Sequence, residues 1–466
     1  MLTKIAAAGL ALAAFSRAAT VSVDPHTEYQ TYDGTGCSEA FQRSLLVHEL
    51  AEDSRNEVLD YLFTEKGAGF TILRNGLGSS PNQPFDLMKS IAPKAPASND
   101  SELNYIPLPR NDQYQVWLSK QAKARGVNYI YADAWSADGY MKTNDTDTYG
   151  GYLCGVYNAT CESGDWRQAY ADKIVHYIQD YADKGIKIDF VGFLNEPDLS
   201  TAYASMQSSG RQAADFIKVL APTLEEAGLD TEIACCDGSG WEQQRERLTG
   251  IQRFHQAKNL GLVTSHGYSS YPGAPFQTKL RTWQTEWSTF DDLNYKWFTS
   301  EGFQSDGLTW ANNIHNLFAV SNVTGHLYWW GAAEKNNTNE GLIYINTTTN
   351  EVNPTKRMWA HAHFGKKFIR EGAVRIDASS GSASLNVTAF ANTDGTTAVQ
   401  VINNSDDAQH VALDLPDLKG CSVATYLTNE DNDLTEGTAN LGKGGKKAKA
   451  MVPGRSLLSF YVSGGH

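Results

Sequence analysis

The 466-residue sequence predicts an α/β chain, a (β/α)8 TIM barrel with an attached antiparallel β-sandwich side domain. Three observations lead there. Short apolar runs alternate with helical stretches through the first 366 residues, giving eight strand candidates. Helical periodicity then stops near residue 367, and short alternating segments take over. No glycine-rich loop follows an early strand, as an open nucleotide-binding sheet would require.

The strand candidates are residues 30–36, 70–73, 128–132, 188–194, 231–235, 262–265, 281–285 and 325–329. Helices are expected at 49–64, 112–125, 165–184, 209–227, 241–258 and 307–320, with a last one at 354–366 after a loop rich in Asn and Thr. In 165–184 the apolar Ala169, Ile174, Tyr177, Ile178 and Tyr181 recur at helical spacing. Residues 76–110 form a long, polar, proline-rich segment directly after the second strand, at the rim where barrel enzymes gather their functional loops. The barrel is placed at 19–366, with its first residues available as a strand for the side domain. The sandwich is placed at 367–466, with strands near 384–389, 398–402, 410–415 and 456–461. The short cluster Lys446, Lys447 and Lys449 reads as a solvated hairpin.

Charge and leader bound the function. With 39 basic and 53 acidic residues the net charge is −14, which argues against a nucleic-acid partner. Residues 1–18 read as a signal peptide: Lys4, then an apolar run over 5–15, then small residues flanking a cut after Ala18. That run is too short to span a bilayer, so the chain is expected to be secreted and extracellular, without a membrane. Asn144, Asn158, Asn322, Asn336, Asn346, Asn386 and Asn403 each head an N-x-S/T triplet and are glycosylation candidates. Of the six cysteines, Cys154 and Cys161 bracket a short polar loop and are the expected disulfide. A second bridge from Cys37 to Cys235 or Cys236 is the next expectation, with Cys421 left open. The spacing matches no metal-ligand pattern, and neither a metal nor an organic cofactor is expected.

Two glutamates carry the chemistry. The run IDFVGFLNEP ends an apolar strand at Glu196, and LRTWQTEW places Glu286 at the corresponding end of the seventh strand. Carboxyl groups on two strand ends suit glycosidic cleavage, which needs one group to protonate the departing oxygen and another to attack or to activate water. A lone strand-end carboxylate would more simply be solvated or salt-bridged; two at predicted rims are harder to explain that way. Asn195 is suited to bond a sugar hydroxyl, Tyr268 to donate to Glu286, and Arg74 to hold that carboxylate ionised. Asn75, Trp135, His266, Trp287, Trp329 and Trp330 occupy other rim positions, where the tryptophans floor sugar subsites or close the barrel top. No G-x-S-x-G elbow or H-E-x-x-H pattern occurs.

Those residues sit in a longer ordered set: Gly36-Cys37-Ser38-Glu39-Ala40-Phe41, Leu73-Arg74-Asn75, Tyr131-Ala132-Asp133-Ala134-Trp135-Ser136, Asp165-Trp166-Arg167-Gln168-Ala169-Tyr170, Asn195-Glu196-Pro197-Asp198, Cys235-Cys236-Asp237 and Gln284-Thr285-Glu286-Trp287. Over nearly the whole chain beyond the leader, it resembles glycoside hydrolase family 30, and within it the fungal subfamily 7 of glucuronoxylan-active xylanases and xylobiohydrolases. The resemblance implies a barrel with a closely attached β-domain and a retaining mechanism, with Glu196 as acid/base and Glu286 as nucleophile. It implies a plant cell-wall partner, β-1,4-xylan bearing 4-O-methylglucuronic acid or its xylooligosaccharides, acted on by a monomer. Arg43 matches the position at which branch-reading members bind the uronate, a role that suits a guanidinium fork. Relatives that cleave β-1,6-galactan or β-1,6-glucan, or a non-catalytic polysaccharide-binding protein, are the alternatives. The 76–110 segment is positioned to close one end of the cleft and so release xylobiose from the non-reducing end.

Overall fold

The computed structural model describes residues 18–82, 87–108, 112–302, 304–335, 338–416, 418–442 and 445–464. The leader up to residue 17, Asn336, and residues 83–86 and 109–110 of the long segment lie outside them. No helix among the described residues is long and apolar enough to cross a membrane.

Strand β1 (Ala19–Thr31) belongs to the side domain. The barrel wall is made of eight parallel strands: β2 (Gly34–Ser38), β3 (Ile72–Leu77), β4 (Tyr129–Ala134), β5 (Phe190–Gly192), β6 (Glu232–Gly238), β7 (Leu262–His266), β8 (Arg281–Glu286) and β9 (Gly325–Glu334). They pair in chain order, and β8 meets β9 while β9 meets β2, which closes the circle. Helices α1 (Arg43–Glu49) and α2 (Glu52–Phe63) follow β2, and α3 (Gln115–Ala124), α4 (Arg167–Asp183), α5 (Gly210–Glu226) and α6 (Trp241–Arg253) follow the next four strands in turn. Helix α7 (Gly307–Ala319) follows β8 and α8 (Lys356–Ala362) follows the barrel's last strand. Between β7 and β8 the chain forms no α-helix, because Pro272 and Pro275 interrupt that short connection. The barrel floor is filled by Ile72, Tyr131, Phe190, Ala234, Leu262, Trp283 and Leu327, one side chain from each of seven strands. Helix α5 begins with a reciprocal capping box, in which Ser209 Oγ accepts from Gln212 N–H at 3.3 Å and Gln212 Oε1 accepts from Ser209 N–H at 2.8 Å.

Part of the Asn/Thr-rich segment read as a loop is sheet instead. Strand β10 (Gly341–Asn346) runs parallel to the outer half of β9, and β11 (Glu351–Pro354) returns antiparallel along it. The consecutive, fully buried Leu342, Ile343, Tyr344 and Ile345 stabilise this pair, and the polar Thr347–Asn350 run turns it.

The side domain holds β1 with β12 (Val374–Ser380), β13 (Leu385–Ala391), β14 (Thr397–Asn403), β15 (Gln409–Asp414), β16 (Ser422–Thr428), β17 (Thr435–Thr438), β18 (Asn440–Leu441), β19 (Ala448–Val452) and β20 (Ser456–Ser463). It is not wholly antiparallel. Strand β1 lies antiparallel to β12 but parallel to β15, because it enters from the opposite end of the chain and no hairpin constrains its direction. The sandwich packs firmly on the barrel: Trp297 Nε1 donates to Arg455 O at 2.6 Å, and His363 Nδ1 lies 2.7 Å from Ser459 Oγ. Phe390 of β13 packs into the barrel's core against Tyr32 and Phe318, with the three rings 5.5–5.6 Å apart.

Cys154 and Cys161 are disulfide-bonded. The second bridge corrects the expectation: Cys235 is bonded to its neighbour Cys236, and Cys37 is a buried thiol. Sequence spacing pointed away from this pair, since adjacent cysteines ordinarily face apart on a strand. Among the glycan candidates, Asn403 is also corrected. It is fully buried, and its amide donates to the carbonyls of Asp407, Val452 and Pro453 at 2.9–3.2 Å, so no glycan fits there in the folded chain.

Candidate active site

Three irregularities at the C-terminal rim decide which side chains face the barrel mouth. Pairing of β6 with β7 shifts between Cys235 and Gly238, and pairing of β7 with β8 shifts between Ser265 and His266. Pairing of β2 with β9 skips Trp329, so that Ser38 faces Trp330. Bulges of this kind re-aim side chains that strict alternation would send to opposite faces. The third one turns both Trp329 and Trp330 into the same cavity, their rings stacked 4.8 Å apart. Just beyond it the buried Glu39 accepts the Ala332 N–H at 2.7 Å, holding the bulged strand from below.

Glu196 follows the short β5 with a backbone φ of 47°, in the left-handed region that a non-glycine residue enters only at a cost of about 1–3 kcal/mol. Its N–H donates to Asp237 O at 2.8 Å, which locks the turn and points the side chain across the mouth. Glu286 ends β8. A carboxylate oxygen of each glutamate and a ring nitrogen of His266 lie within 4.8 Å of one another.

Every one of these groups is held. Tyr203 OH donates to Glu196 Oε2 at 2.8 Å, and His266 Nδ1 lies 3.1 Å from Glu196 Oε1. Tyr268 OH donates to Glu286 Oε1 at 2.9 Å, and Arg74 Nη1 donates to Glu286 Oε2. The other arm of the Arg74 fork reaches Asp133 at 2.7 Å and Asn195 Oδ1 at 2.6 Å. Asp237 takes the far nitrogen of His266 at 3.3 Å and hydroxyls from Tyr131, Thr264 and Thr285. Gly192 leaves the space this needs, since a Cβ there would lie 2.1 Å from an Asp133 oxygen.

The charges follow from these contacts. Burial acts to lower His266, but Glu286, Asp237 and Glu196 outweigh it and push the imidazole up to about 10, so the ring is an imidazolium at neutral pH. Burial raises Glu286 above the ordinary glutamate range, with His266 and Arg74 pulling against it. Asp133 is driven well up by burial and by the adjacent Asp237, while Asp237 stays low because His266 and Arg74 overcome its burial. The Glu196, His266 and Glu286 trio has donor types that suit a metal, yet a protonated ring with both nitrogens turned to carboxylates offers no lone pair.

The two glutamates open into a cavity of about 330 Å³ walled by aromatic rings. Trp135 meets Phe41 edge-on at 5.0 Å and Trp329 at 5.9 Å, and Arg74 lies beneath Trp135 at 4.4 Å. Arg43, also buried, stacks its guanidinium 3.6 Å over the ring of Trp330. The expected rim residues thus divide. Trp135, Tyr268, Trp329 and Trp330 line the cavity with Glu196 and Glu286. Arg74 and His266 are fully buried behind the carboxylates, where they act on Glu286 and Glu196 and do not meet a sugar; Asn195 lies beside them under Arg74. Asn75 is a correction: its amide points outward to Ser119 and Tyr181 on α3 and α4, so it ties the wall to its helices. Trp287 faces an adjoining groove. Sequence reasoning passed over Phe41, Tyr203 and Phe290 on the cavity wall, and assigned no role to Asp133 and Asp237. The last two carried a legible signal, a carboxylate closing an apolar strand.

A closed barrel with two facing carboxyl groups in an aromatic-walled mouth defines a glycoside hydrolase. Comparison with known proteins narrows this. The TIM-barrel domain of glycosyl hydrolase family 30 matches residues 32–249 and the family's β-sandwich domain matches residues 372–460, and the chain belongs to that family. It is 41% identical to the catalytic domain of xylanase C from Talaromyces cellulolyticus, over 95% of this chain and all of that one, with a TM-score of 0.88. An endo-1,6-β-D-glucanase of Aspergillus fumigatus is 26% identical over 82% of this chain and 80% of its own length. The glucuronoxylanase XynC of Bacillus subtilis is 23% identical over 76% and 78% respectively.

Proposed function

We propose that the protein hydrolyses β-1,4-xylosidic bonds of glucuronoxylan with net retention at the anomeric carbon. The observation that carries the mechanism is the approach of the Glu196 and Glu286 carboxylates to within 4.8 Å. Retaining pairs stand about 5–5.5 Å apart, whereas an inverting pair needs about 6.5–9.5 Å to admit a water. In the first step Glu286 attacks the anomeric carbon while Glu196 gives its proton to the departing oxygen. In the second, Glu196 takes a proton from water, the water oxygen attacks the same carbon, and the Glu286 ester is released. Arg74 and Tyr268 steady the attacking carboxylate, and the His266 cation offsets the negative charge between the pair. No metal or organic cofactor enters these steps. The similarity to a fungal xylanase supports xylan as the polymer. Action on such a polymer agrees with secretion through the leader.

Arg43 supplies the branch contact in this reading. Its fork is stacked on Trp330 at the cavity wall, where it suits a uronate carboxylate. Arg43→Ala is expected to slow cleavage of glucuronoxylan at least about tenfold more than that of unbranched xylooligosaccharides, since a charge-assisted hydrogen bond is worth about 1.5–3 kcal/mol. Equal losses on both substrates remove the role. The long segment after β3 comes close to this end: Gln42, next to Arg43, donates to Leu87 O at 2.8 Å. A cleft closed at that end by this segment would release xylobiose from the non-reducing end.

The relative that cleaves a 1,6-β-glucan keeps β-1,6-linked polymers as the second reading. Digests of glucuronoxylan, arabinoxylan, β-1,6-glucan and β-1,6-galactan, run side by side, decide the substrate. Proton NMR of the first-formed product decides the stereochemistry. The expected result is new reducing ends from glucuronoxylan, appearing first as the β-anomer; an α-anomer at early times rejects the mechanism, and inertness on both xylans rejects the polymer.

A further inference from the structure

The loop between β5 and α5, residues 193–209, carries Tyr203, whose hydroxyl donates to Glu196 Oε2 at 2.8 Å. That loop contains no helix or strand to fix it. Its course is set instead by the loop between β4 and α4. Tyr149 N–H donates to Thr201 O at 2.7 Å, Ser205 N–H to Asp147 O at 2.9 Å and Gln207 N–H to Gly151 O at 2.8 Å. Thr148 and Ala204 form an antiparallel bridge between the same two loops. Residue 150 suits only glycine at this approach: its φ is 68°, and a Cβ there would lie 3.0 Å from the Ser200 Cβ.

These contacts converge on Ser205, and Lys142 holds it. The Lys142 side chain is buried, and its Nζ donates to Ser205 O at 2.7 Å. Ser136 Oγ, next in the chain to the cavity residue Trp135, donates to the same carbonyl at 3.4 Å. Ser205 Oγ in turn accepts the N–H groups of Gly150 at 2.9 Å and Thr201 at 3.2 Å. Lys142 is itself fixed. It pairs with Leu153 in an antiparallel bridge, Cys154 N–H donates to Met141 O at 2.9 Å, and the Cys154–Cys161 bond closes that loop. Burial lowers the lysine to about 7, against the pull of Asp147. Ammonium and amine alike donate to a carbonyl, so the contact survives loss of the charge. A long amine is costly in a dry interior unless it reaches a fixed acceptor. The acceptor here stands two residues from Tyr203.

We propose that Lys142 is a positioning residue for the acid/base: by holding Ser205 O it sets the Tyr203 loop, and Tyr203 then orients the Glu196 carboxyl toward the departing oxygen. The proposal rests on the retaining reading above and extends it to a residue outside the cavity. Its test is a leaving-group comparison. A sugar hydroxyl departs only with a proton from Glu196, whereas a dinitrophenolate departs without one. Lys142→Met keeps the apolar stem and removes the donor. Its kcat/KM is expected to fall about tenfold on a xylooligosaccharide and less than about twofold on a dinitrophenyl β-xylobioside. Tyr203→Phe should show the same split. Adding Lys142→Met to it should cost less than about a further twofold, because both act through one hydroxyl. Equal losses on the two substrates, or a Lys142→Met loss undiminished in the Tyr203→Phe background, overturn the proposal. Thermal midpoints establish that each variant is folded. If Lys142→Met is not, Ser205→Ala, which strips the hydroxyl that accepts from Gly150 and Thr201, is judged by the same outcomes. Glu196→Ala, run alongside, separates the failures. Without a larger loss on the xylooligosaccharide than on the aryl glycoside, residue 196 is not the acid, and the retaining reading falls whatever Lys142 does. An enzyme inert on both xylosides is compared on the corresponding β-1,6-linked glucosides by the same criteria.

Discussion

Glu286→Gln is expected to lower turnover by at least about 10⁴-fold while leaving the fold and sugar binding in place, as loss of a covalent nucleophile does in other enzymes. The amide keeps the size of the side chain and an oxygen that accepts from Tyr268, so the cavity wall is preserved. What it lacks is the charge and the nucleophilic oxygen. It also turns an amide nitrogen toward Arg74, whose fork still has Asp133 and Asn195 to satisfy it. The two readouts are reducing-sugar release and calorimetric titration with a xylooligosaccharide. A variant that binds normally and turns over at a near-normal rate would sink the assignment of residue 286, and with it the retaining mechanism.

Arg74→Ala should be the most destabilising single change in the site, at about 3–5 kcal/mol. The guanidinium is fully buried and touches Glu286, Asp133 and Asn195, with Asp237 3.9 Å away. Removing it leaves carboxyl groups in a low-dielectric interior without their main cation, and a cavity under Trp135 as well. Arg74→Lys separates the two effects. It restores one charge but cannot reach three acceptors from a single ammonium, so it should recover much of the stability and little of the rate. Urea unfolding midpoints and kcat for the pair provide the check. An Arg74→Ala protein within about 1 kcal/mol of wild type would mean that the carboxyl cluster neutralises itself by taking up protons.

Much of this architecture can be read in the chain, for a definite reason. A buried barrel strand is a short apolar run, and the residue that ends it stands at the rim, so IDFVGFLNEP and LRTWQTEW mark rim carboxylates by position alone. His266 ends β7, and Trp135 and Tyr268 stand just beyond strand ends by the same logic, whereas Arg74 and Trp329 lie within β3 and β9, which run on past the expected ends at residues 73 and 329. The aromatic Tyr203 and Phe290 escaped notice because they lie in loops, where no period ties sequence position to direction.

Other features depend on pairings that no local pattern encodes. Alternation along a strand assumes an unbroken register, and the ladders beside Asp237, Thr285 and Trp329 are each shifted. Those shifts turn two consecutive tryptophans into one cavity and bring Asp237 beneath His266. The same limit hid the Cys235–Cys236 bond and the parallel contact of β1 with β15, which joins residues nearly four hundred positions apart. Composition and strand-end chemistry thus determined the class of fold and the kind of reaction. The distance between the carboxylates and the charge of the imidazole between them were decided only when the barrel closed, because each depends on neighbours contributed by different strands.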